Sequence, residues 1–398
     1  MSAGTTLAGP PSSPSPATPA PRPSWNPRWL HRFSPATRYS LGVYLATRIA
    51  VVLGIAAAYL ARRKVTWIGL AHRMDAWWYL YIAEHGYGRH LHLNDVTYFH
   101  QRFSPWAFFP GYPLLLRGLY SVTRIPWVPL ALLTSFVLGA LAVRAVYDLG
   151  LAYAGQRTAV GAALLFAAWP GSSVLNLPYS EGLFTAAAAA SLAALLRRRW
   201  VLAGLFGAVA TATRPMGLAV VAAAVVAAAL EVRRSRSWRA LAAPVLSALG
   251  VTGFLAYGWV QTGDPLVWRK AETLWHQRLD FSVHMVSTWP SVIGFHTRGG
   301  DRTLLQLAGM VFVAVVLIAA WRLRGQVNPM LAAYAAVALF MTLGYSAVGT
   351  RPRILLALLP AFCWLARKLP QRATDVTAGF LASTLALTTF LYLTVVTP

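Results

Sequence analysis

The stretch that decides the fold is residues 41–61, LGVYLATRIAVVLGIAAAYLA, in which Arg48 is the only charged residue. At 1.5 Å per residue, an α-helix of this length extends about 30 Å, which is the thickness of the hydrocarbon core of a bilayer. The run therefore predicts a transmembrane helix.

The rest of the 398-residue chain has the same character. It is 57% apolar and only 12% charged, with a mean hydropathy of +0.53, whereas a soluble domain carries about 25% charged residues. This composition excludes a soluble enzyme and a disordered chain. It predicts an all-α polytopic membrane protein with about eleven transmembrane helices. The expected spans are 41–61, 126–147, 158–175, 181–196, 200–213, 215–230, 240–261, 303–321, 328–346, 353–366 and 377–396.

The net charge of +24 arises from 35 Lys and Arg against 11 Asp and Glu. In a soluble protein such an excess would indicate a nucleic-acid partner. In a membrane protein, basic residues instead collect in loops beside the anionic cytoplasmic leaflet. We therefore expect membrane lipids as partners and no nucleic acid.

The short connections give the orientation. With the N-terminus inside, the inner connections hold most of the Arg and Lys, as the positive-inside rule requires. These residues are Arg197–Arg199, Arg233, Arg234, Arg236, Arg239, Arg322, Arg324, Arg367, Lys368 and Arg372. The short outer connections hold only Arg214, Arg351 and Arg353, while 8 of the 11 acidic residues also fall on the outer side. The sequence predicts a multi-pass protein of the cell (plasma) membrane with a cytoplasmic N-terminus and an extracytoplasmic active site.

Two regions follow from these patterns. Residues 1–39 form a Pro-rich tail with too little apolar surface to fold, which we expect to be disordered and cytoplasmic. Residues 40–398 form the transmembrane domain, with two long outer loops at 62–125 and 262–302. Cys363 is the single cysteine, so no intrachain disulfide can form.

The first outer loop contains an aromatic-rich segment that begins at Asp75. If the segment is helical, Trp78 and Tyr79 share the face of Asp75, and Glu84 lies about half a turn away. Such a helix suits the membrane–water boundary, where its carboxylate could reach a lipid-linked substrate. Asp75 could equally be a helix N-cap, and Glu84 a surface acid. We interpret His85 as an interfacial or substrate-contacting residue.

Several short motifs in this order resemble the GPI mannosyltransferase 2 (PIG-V) family and its bacterial relatives. They are Asp75-x-x-Trp78-Tyr79-x-x-Ile82-Ala83-x-x-Gly86-Tyr87, Phe108-Phe109-Pro110-x-Tyr112-Pro113, Pro178-Tyr179-Ser180-Glu181, Thr213-Arg214-Pro215-x-Gly217 and Gly263-Asp264-Pro265. Each motif alone is weak, but the ordered set, within residues 40–366, is fairly specific.

The resemblance implies a GT-C glycosyltransferase bundle with interfacial helices in its first outer loop. It implies inverting transfer of a sugar, usually mannose, from a polyprenyl-phosphate donor to a hydroxyl at the outer membrane face. It also implies that the acid of the first outer loop, here Asp75, is the catalytic base. The eukaryotic members act on a GPI precursor. Nothing in this sequence shows that acceptor, so we expect only a glycolipid or glycan.

The residue types fit such a transfer. A lipid phosphate is already a good leaving group, so the reaction needs one base and cations that stabilise the departing phosphate. The candidate cations are Arg214, Arg351, Arg353 and Lys270, with Arg269 in addition. The same arginines could be snorkelling residues or could bind lipid headgroups.

Tyr179 and Glu181, at the outer mouth of a span, are further candidates for substrate binding, although Glu181 could be a helix-start acid. The spacing of the histidines in the first outer loop fits no common metal site. We therefore expect no cofactor and metal-independent turnover.

Two other functions stay open. One is a lipid or solute transporter, such as a flippase, in which the outer acids form a polar gate. The other is a GT-C enzyme that transfers another sugar, such as an arabinofuranosyl unit. An enzyme is favoured over a transporter because the polar residues cluster in outer loops rather than near the bilayer centre.

Overall fold

The computed structural model describes residues 33–62, 75–91, 103–275, 327–344 and 352–394, with isolated positions between 66 and 69 and between 311 and 318. All regular secondary structure in these residues is helical, which confirms the predicted all-α class. The α-helices are α1 (Pro35–Arg62), α2 (Asp75–His85), α3 (Gly111–Thr123), α4 (Trp127–Ala154), α5 (Gln156–Ala168), α6 (Glu181–Leu196), α7 (Trp200–Thr213), α8 (Leu218–Ser235), α9 (Ala242–Thr262), α10 (Val267–Leu274), α11 (Pro329–Gly344), α12 (Pro352–Leu355), α13 (Leu359–Lys368) and α14 (Gln371–Thr394). Short 3₁₀ turns cover Pro105–Ala107, Pro170–Asn176, Pro215–Gly217 and Trp238–Leu241.

Five of the described helices are long and apolar enough to cross a membrane: α1, α4, α8, α9 and α14, with the turns that precede α8 and α9 included. A sixth crossing results if α5 and the turn after it, which bend by 77°, are taken as one span. Helices α6, α7 and α11 are apolar but shorter. The expected span 303–321 lies almost wholly outside the described residues, and the count of eleven stays a prediction.

The helix bounds agree closely with several expected spans. Helices α6 and α7 begin and end at the expected residues, and α2 begins at Asp75. The expected span 353–366 is divided into α12 and α13, and α1 begins at Pro35, six residues before its expected start. The first outer loop contains the helices α2 and α3, and the resemblance to the GPI mannosyltransferase 2 family implies helices in this loop, although the apolar runs alone did not predict α3.

Small residues bring the helices into close contact. A Cβ added to Gly250 of α9 would lie 2.1 Å from the carbonyl oxygen of Ala208 in α7. A Cβ on Gly207 of α7 would lie 2.0 Å from Ser247 Oγ of α9. Small residues at such interfaces let helix backbones approach in a membrane, where apolar burial between helices supplies little driving force.

Helix α1 shows how the bundle divides protein from lipid. Tyr44 and Ala58 are fully buried against other helices, whereas Ile49, Val52 and Leu60 are more than half exposed. Since the exposed side chains are apolar, this face of α1 suits contact with lipid.

Arg48, near the middle of α1, is buried and donates hydrogen bonds to the segment where the chain breaks after α5. Its guanidinium donates to the carbonyl oxygens of Ala167 and Ser172, at 2.9 and 2.8 Å, and to Asn176 Oδ1 at 2.6 Å. A break in a buried helix exposes carbonyl groups that water cannot reach, and these need a donor. Arg48 therefore has a structural role at the bent segment.

Candidate active site

Four charged side chains from distant parts of the sequence form one chain of ion pairs. Arg353 Nη2 lies 2.5 Å from Asp75 Oδ2, and Arg353 Nε also donates to Glu181 Oε1. Arg214 Nη1 lies 2.5 Å from the same oxygen of Glu181. The order is Asp75–Arg353–Glu181–Arg214, so acids and bases alternate and the charges balance.

These residues stand at element ends that meet in one place. Asp75 and Glu181 are the first residues of α2 and α6, and Arg214 follows the last residue of α7. Arg353 lies in α12, the short helix that precedes α13 in sequence. The sequence predicts that all four lie on one side of the membrane, and the structure brings them into contact.

The four ion-paired side chains differ in how deeply they are buried. The side chains of Glu181 and Arg353 are 5% and 9% exposed, that of Arg214 is 19% exposed and that of Asp75 is 25% exposed. Buried ions are tolerated when they are paired. Glu181 can therefore hold two guanidinium groups in place, while Asp75 is the more exposed of the two acids.

The residues before Glu181 support the ion pairs. Ser180 Oγ accepts a hydrogen bond from Arg214 Nη1 at 3.3 Å and lies 2.7 Å from the hydroxyl of Tyr79. Arg353 lies over the ring of Tyr179, 4.3 Å from its centroid, in a cation–π contact. Tyr79 thereby links α2 directly to the start of α6.

Arg353 is positioned by the turn that follows α5. Trp169 Nε1 donates to the carbonyl oxygen of Pro352 at 2.6 Å. A Cβ on Gly171 would lie 2.2 Å from the same oxygen. Only glycine therefore allows the turn to approach the backbone that carries Arg353 this closely.

Aromatic packing fixes α2. The ring of Trp78, which is 1% exposed, stacks on Phe108 with centroids 5.7 Å apart and meets Trp275 edge-on at 5.7 Å. At the other end of α2, Arg117 of α3 donates to the carbonyl oxygens of Ala83 and Ile82. These contacts hold the helix, and hence Asp75, against the bundle.

The remaining predicted residues lie elsewhere. Glu84 and His85 are exposed at the end of α2, where His85 stacks on Tyr81 with centroids 4.7 Å apart. Lys270 Nζ pairs with Asp264 Oδ2 at 2.5 Å instead of joining the ion-pair chain, and Arg269 is exposed beside it. Donation by Lys270 holds the pKa of the Asp264 carboxyl below its usual range. Arg351 lies outside the described residues.

Sequence reasoning missed three residues that the structure places at or beside the site. Ser180 and Gly171 carried no chemical signal of their own, because a serine and a glycine in a turn are common. Glu272 lies on the half-buried face of α10, and the helical spacing of aromatic and charged residues from Trp268 onward predicts this helix but does not assign Glu272 to the site.

Within the described residues, no three His, Cys, Asp or Glu side chains cluster as metal ligands would. The chain of ion pairs supplies a different chemistry. Asp75 can accept a proton, and the guanidinium groups behind it can stabilise negative charge.

Comparison of the sequence with known proteins gives a partial match. No protein-family model matches the chain. A segment of 162 residues is 36% identical to GPI alpha-1,6-mannosyltransferase 2 of Cricetulus griseus and 37% identical to that of Rattus norvegicus. The match covers 38% of this chain and 30% of each relative, so the chain matches less than a third of the length of these relatives.

Two solved structures are similar in part. ArnT from Cupriavidus metallidurans, bound to undecaprenyl phosphate, is 18% identical with a TM-score of 0.47, over 82% of this chain and 62% of ArnT. An oligosaccharyltransferase from Archaeoglobus fulgidus is 14% identical with a TM-score of 0.41, over 87% of this chain and 55% of that enzyme.

The sequence match confirms, over part of the chain, the resemblance that the short motifs indicate: there the chain is similar to GPI alpha-1,6-mannosyltransferase 2.

Proposed function

We propose that this protein is a membrane glycosyltransferase that transfers mannose from a polyprenyl-phosphate donor to a hydroxyl group of a glycolipid or glycan at the extracytoplasmic face. The observation that carries the proposal is the placement of Asp75 at the accessible end of the ion-pair chain. The 162-residue similarity to named mannosyltransferases supports the sugar and the reaction class.

The reaction needs one new bond and one broken bond. The oxygen of the acceptor hydroxyl attacks C1 of the sugar, and the bond between C1 and the phosphate oxygen breaks. Asp75 takes the hydroxyl proton, and polyprenyl phosphate leaves with the bonding electron pair. Attack from the face opposite the phosphate inverts the configuration at C1.

The arginines would have different roles in this reaction. Arg353 is shared between Asp75 and Glu181, so its main role is to orient the base. Arg214 is more exposed than Arg353 and has only Glu181 as an ion-pair partner among the described residues, so it is better placed to contact a phosphate. Arg351, which precedes Arg353 by two residues in sequence, is a second candidate for binding the phosphate.

The test uses the purified full chain in a bilayer. Radiolabelled polyprenyl-phosphate mannose is added with a membrane lipid extract, and the labelled products are identified. We expect the label to move to an acceptor lipid or glycan with release of polyprenyl phosphate. Transport would relocate the label across the bilayer without a new covalent product. A labelled product only with an arabinofuranosyl donor would retain the enzyme class and overturn mannose as the sugar.

A further inference from the structure

Glu272 is an acidic residue on the apolar face of an amphipathic helix. It follows Trp268 by four residues and precedes Trp275 by three, so the three side chains share one face of α10. Trp275 packs edge-on against Trp78, and Trp268 packs at 90° against Phe109 with centroids 5.9 Å apart. This face is therefore turned toward the aromatic residues that hold α2.

The charges around Glu272 do not neutralise it. Arg353 is held by two acids, and Arg214 pairs with Glu181. Glu272 itself forms no ion pair within the described part of the chain. Among the described residues, the elements that pack most closely against α10 are α9 and the turn Pro105–Ala107, and neither contains a charged residue.

The environment favours the neutral acid. Burial raises the pKa of Glu272 to about 7, and repulsion from Asp75 acts in the same direction, while the neighbouring Trp268 indole and the positive charge of Arg214 oppose it. Glu272 is thus a further acidic residue on the face of α10 that packs against Trp78 and Phe109, and its environment places the change of its charge near neutral pH.

A lipid-phosphate donor carries one negative charge. An ionised Glu272 would repel it, whereas the neutral acid can donate a hydrogen bond. Resting on the proposed function, we propose that Glu272 binds the donor as a neutral carboxylic acid, through a hydrogen bond to an oxygen of the phosphate or the sugar, and that its ionisation weakens donor binding.

The experiment measures equilibrium binding of radiolabelled polyprenyl-phosphate mannose to the full chain between pH 6.5 and 8.5, without acceptor. The phosphodiester keeps one charge over this range, so the titration of the donor does not contribute. We expect the Kd of the unmodified protein to rise by about 25-fold if only the neutral acid binds, because the neutral fraction of Glu272 falls by that factor over this range.

Three variants separate the possible causes of a pH-dependent Kd. Glu272→Gln keeps a hydrogen-bond donor and has no charge, so its binding should stay tight at every pH. Glu272→Met has neither the hydrogen-bond donor nor the titratable group, so its binding should be weaker and independent of pH. Asp375→Asn, which changes an exposed acid at the start of α14, should keep the pH dependence of the unmodified chain. If Glu272→Gln fails to fold, Glu272→Met still tests the pH dependence.

The outcomes separate this proposal from the proposed function. A flat Kd in the unmodified chain, or the same slope in Glu272→Gln, would overturn the role of Glu272. Equal binding by the Gln and Met variants would overturn the hydrogen bond. Normal pH-dependent binding without any mannose transfer would overturn the proposed function and leave Glu272 as a binding residue. Absence of binding at every pH would overturn both.

Discussion

Arg353 Nη2 lies 2.5 Å from Asp75 Oδ2, although 278 residues separate the two in sequence. The pair joins the helix of the first outer loop to the segment that precedes α13. Because Arg353 also binds buried Glu181, the position of Asp75 depends on the core of the bundle. In the proposed reaction, a base that is fixed in this way would need little reorganisation when it accepts a proton.

The first prediction concerns Asp75→Asn. The amide keeps the size of the side chain and can still accept a hydrogen bond from Arg353, but it cannot take a proton at neutral pH. We expect normal insertion and folding, with mannose transfer reduced by a factor of about 10² or more. The measurement is single-turnover transfer from polyprenyl-phosphate mannose, with Asp375→Asn as a control at a distant exposed acid. Full turnover by the Asn variant would leave Asp75 a structural residue.

The second prediction concerns Glu181→Gln. This change leaves Arg214 and Arg353 with one fewer buried anion, and breaking such a group costs about 3–5 kcal/mol. We expect a large drop in the thermal stability of the purified protein. The matched change is Glu231→Gln, because the Glu231–Arg198 pair is 3.5 Å long and its arginine is 53% exposed. That pair should contribute at most about 1 kcal/mol. Similar losses in the two variants would contradict the central role of Glu181.

The sequence predicts much of the fold and includes, among its candidate residues, the four that meet in the ion pairs. Apolar run lengths gave the ends of α6 and α7, and helical spacing placed Trp78 and Tyr79 on the face of Asp75. Counting crossings placed Asp75, Glu181 and Arg214 on the same side, because each crossing reverses the chain direction.

The ion pairs themselves could not be predicted. Nothing local in the sequence indicates that Arg353 pairs with Asp75, since their contact depends on how helices far apart in sequence pack. For Lys270, the sequence predicts a role at the site, but the structure pairs it with a residue nearby in sequence instead. A nearby acid, Asp264, binds it within the same loop, and a count of outer cations could not anticipate that competition.

The third prediction concerns metal ions. A phosphate leaving group stabilised by guanidinium groups needs no divalent cation. We expect transfer to continue at an unchanged rate after treatment with a chelator. The measurement compares initial rates with and without EDTA, followed by addition of Mg²⁺ or Mn²⁺. Loss of transfer with EDTA and rescue by either ion would overturn metal independence.

The last prediction concerns Gly171→Ala, which tests whether the turn after α5 positions Arg353. The added Cβ would lie 2.2 Å from the carbonyl oxygen of Pro352, which is far inside van der Waals contact, so the backbone at Pro352 must move away. We expect a loss of mannose transfer of at least about tenfold, because small displacements of catalytic groups are costly. The control is Gly253→Ala in α9, where a Cβ meets nothing within 4 Å. That change should be neutral or stabilise the helix by up to about 1 kcal/mol. If both variants transfer mannose at the normal rate, the contact between Gly171 and Pro352 does not set the position of Arg353.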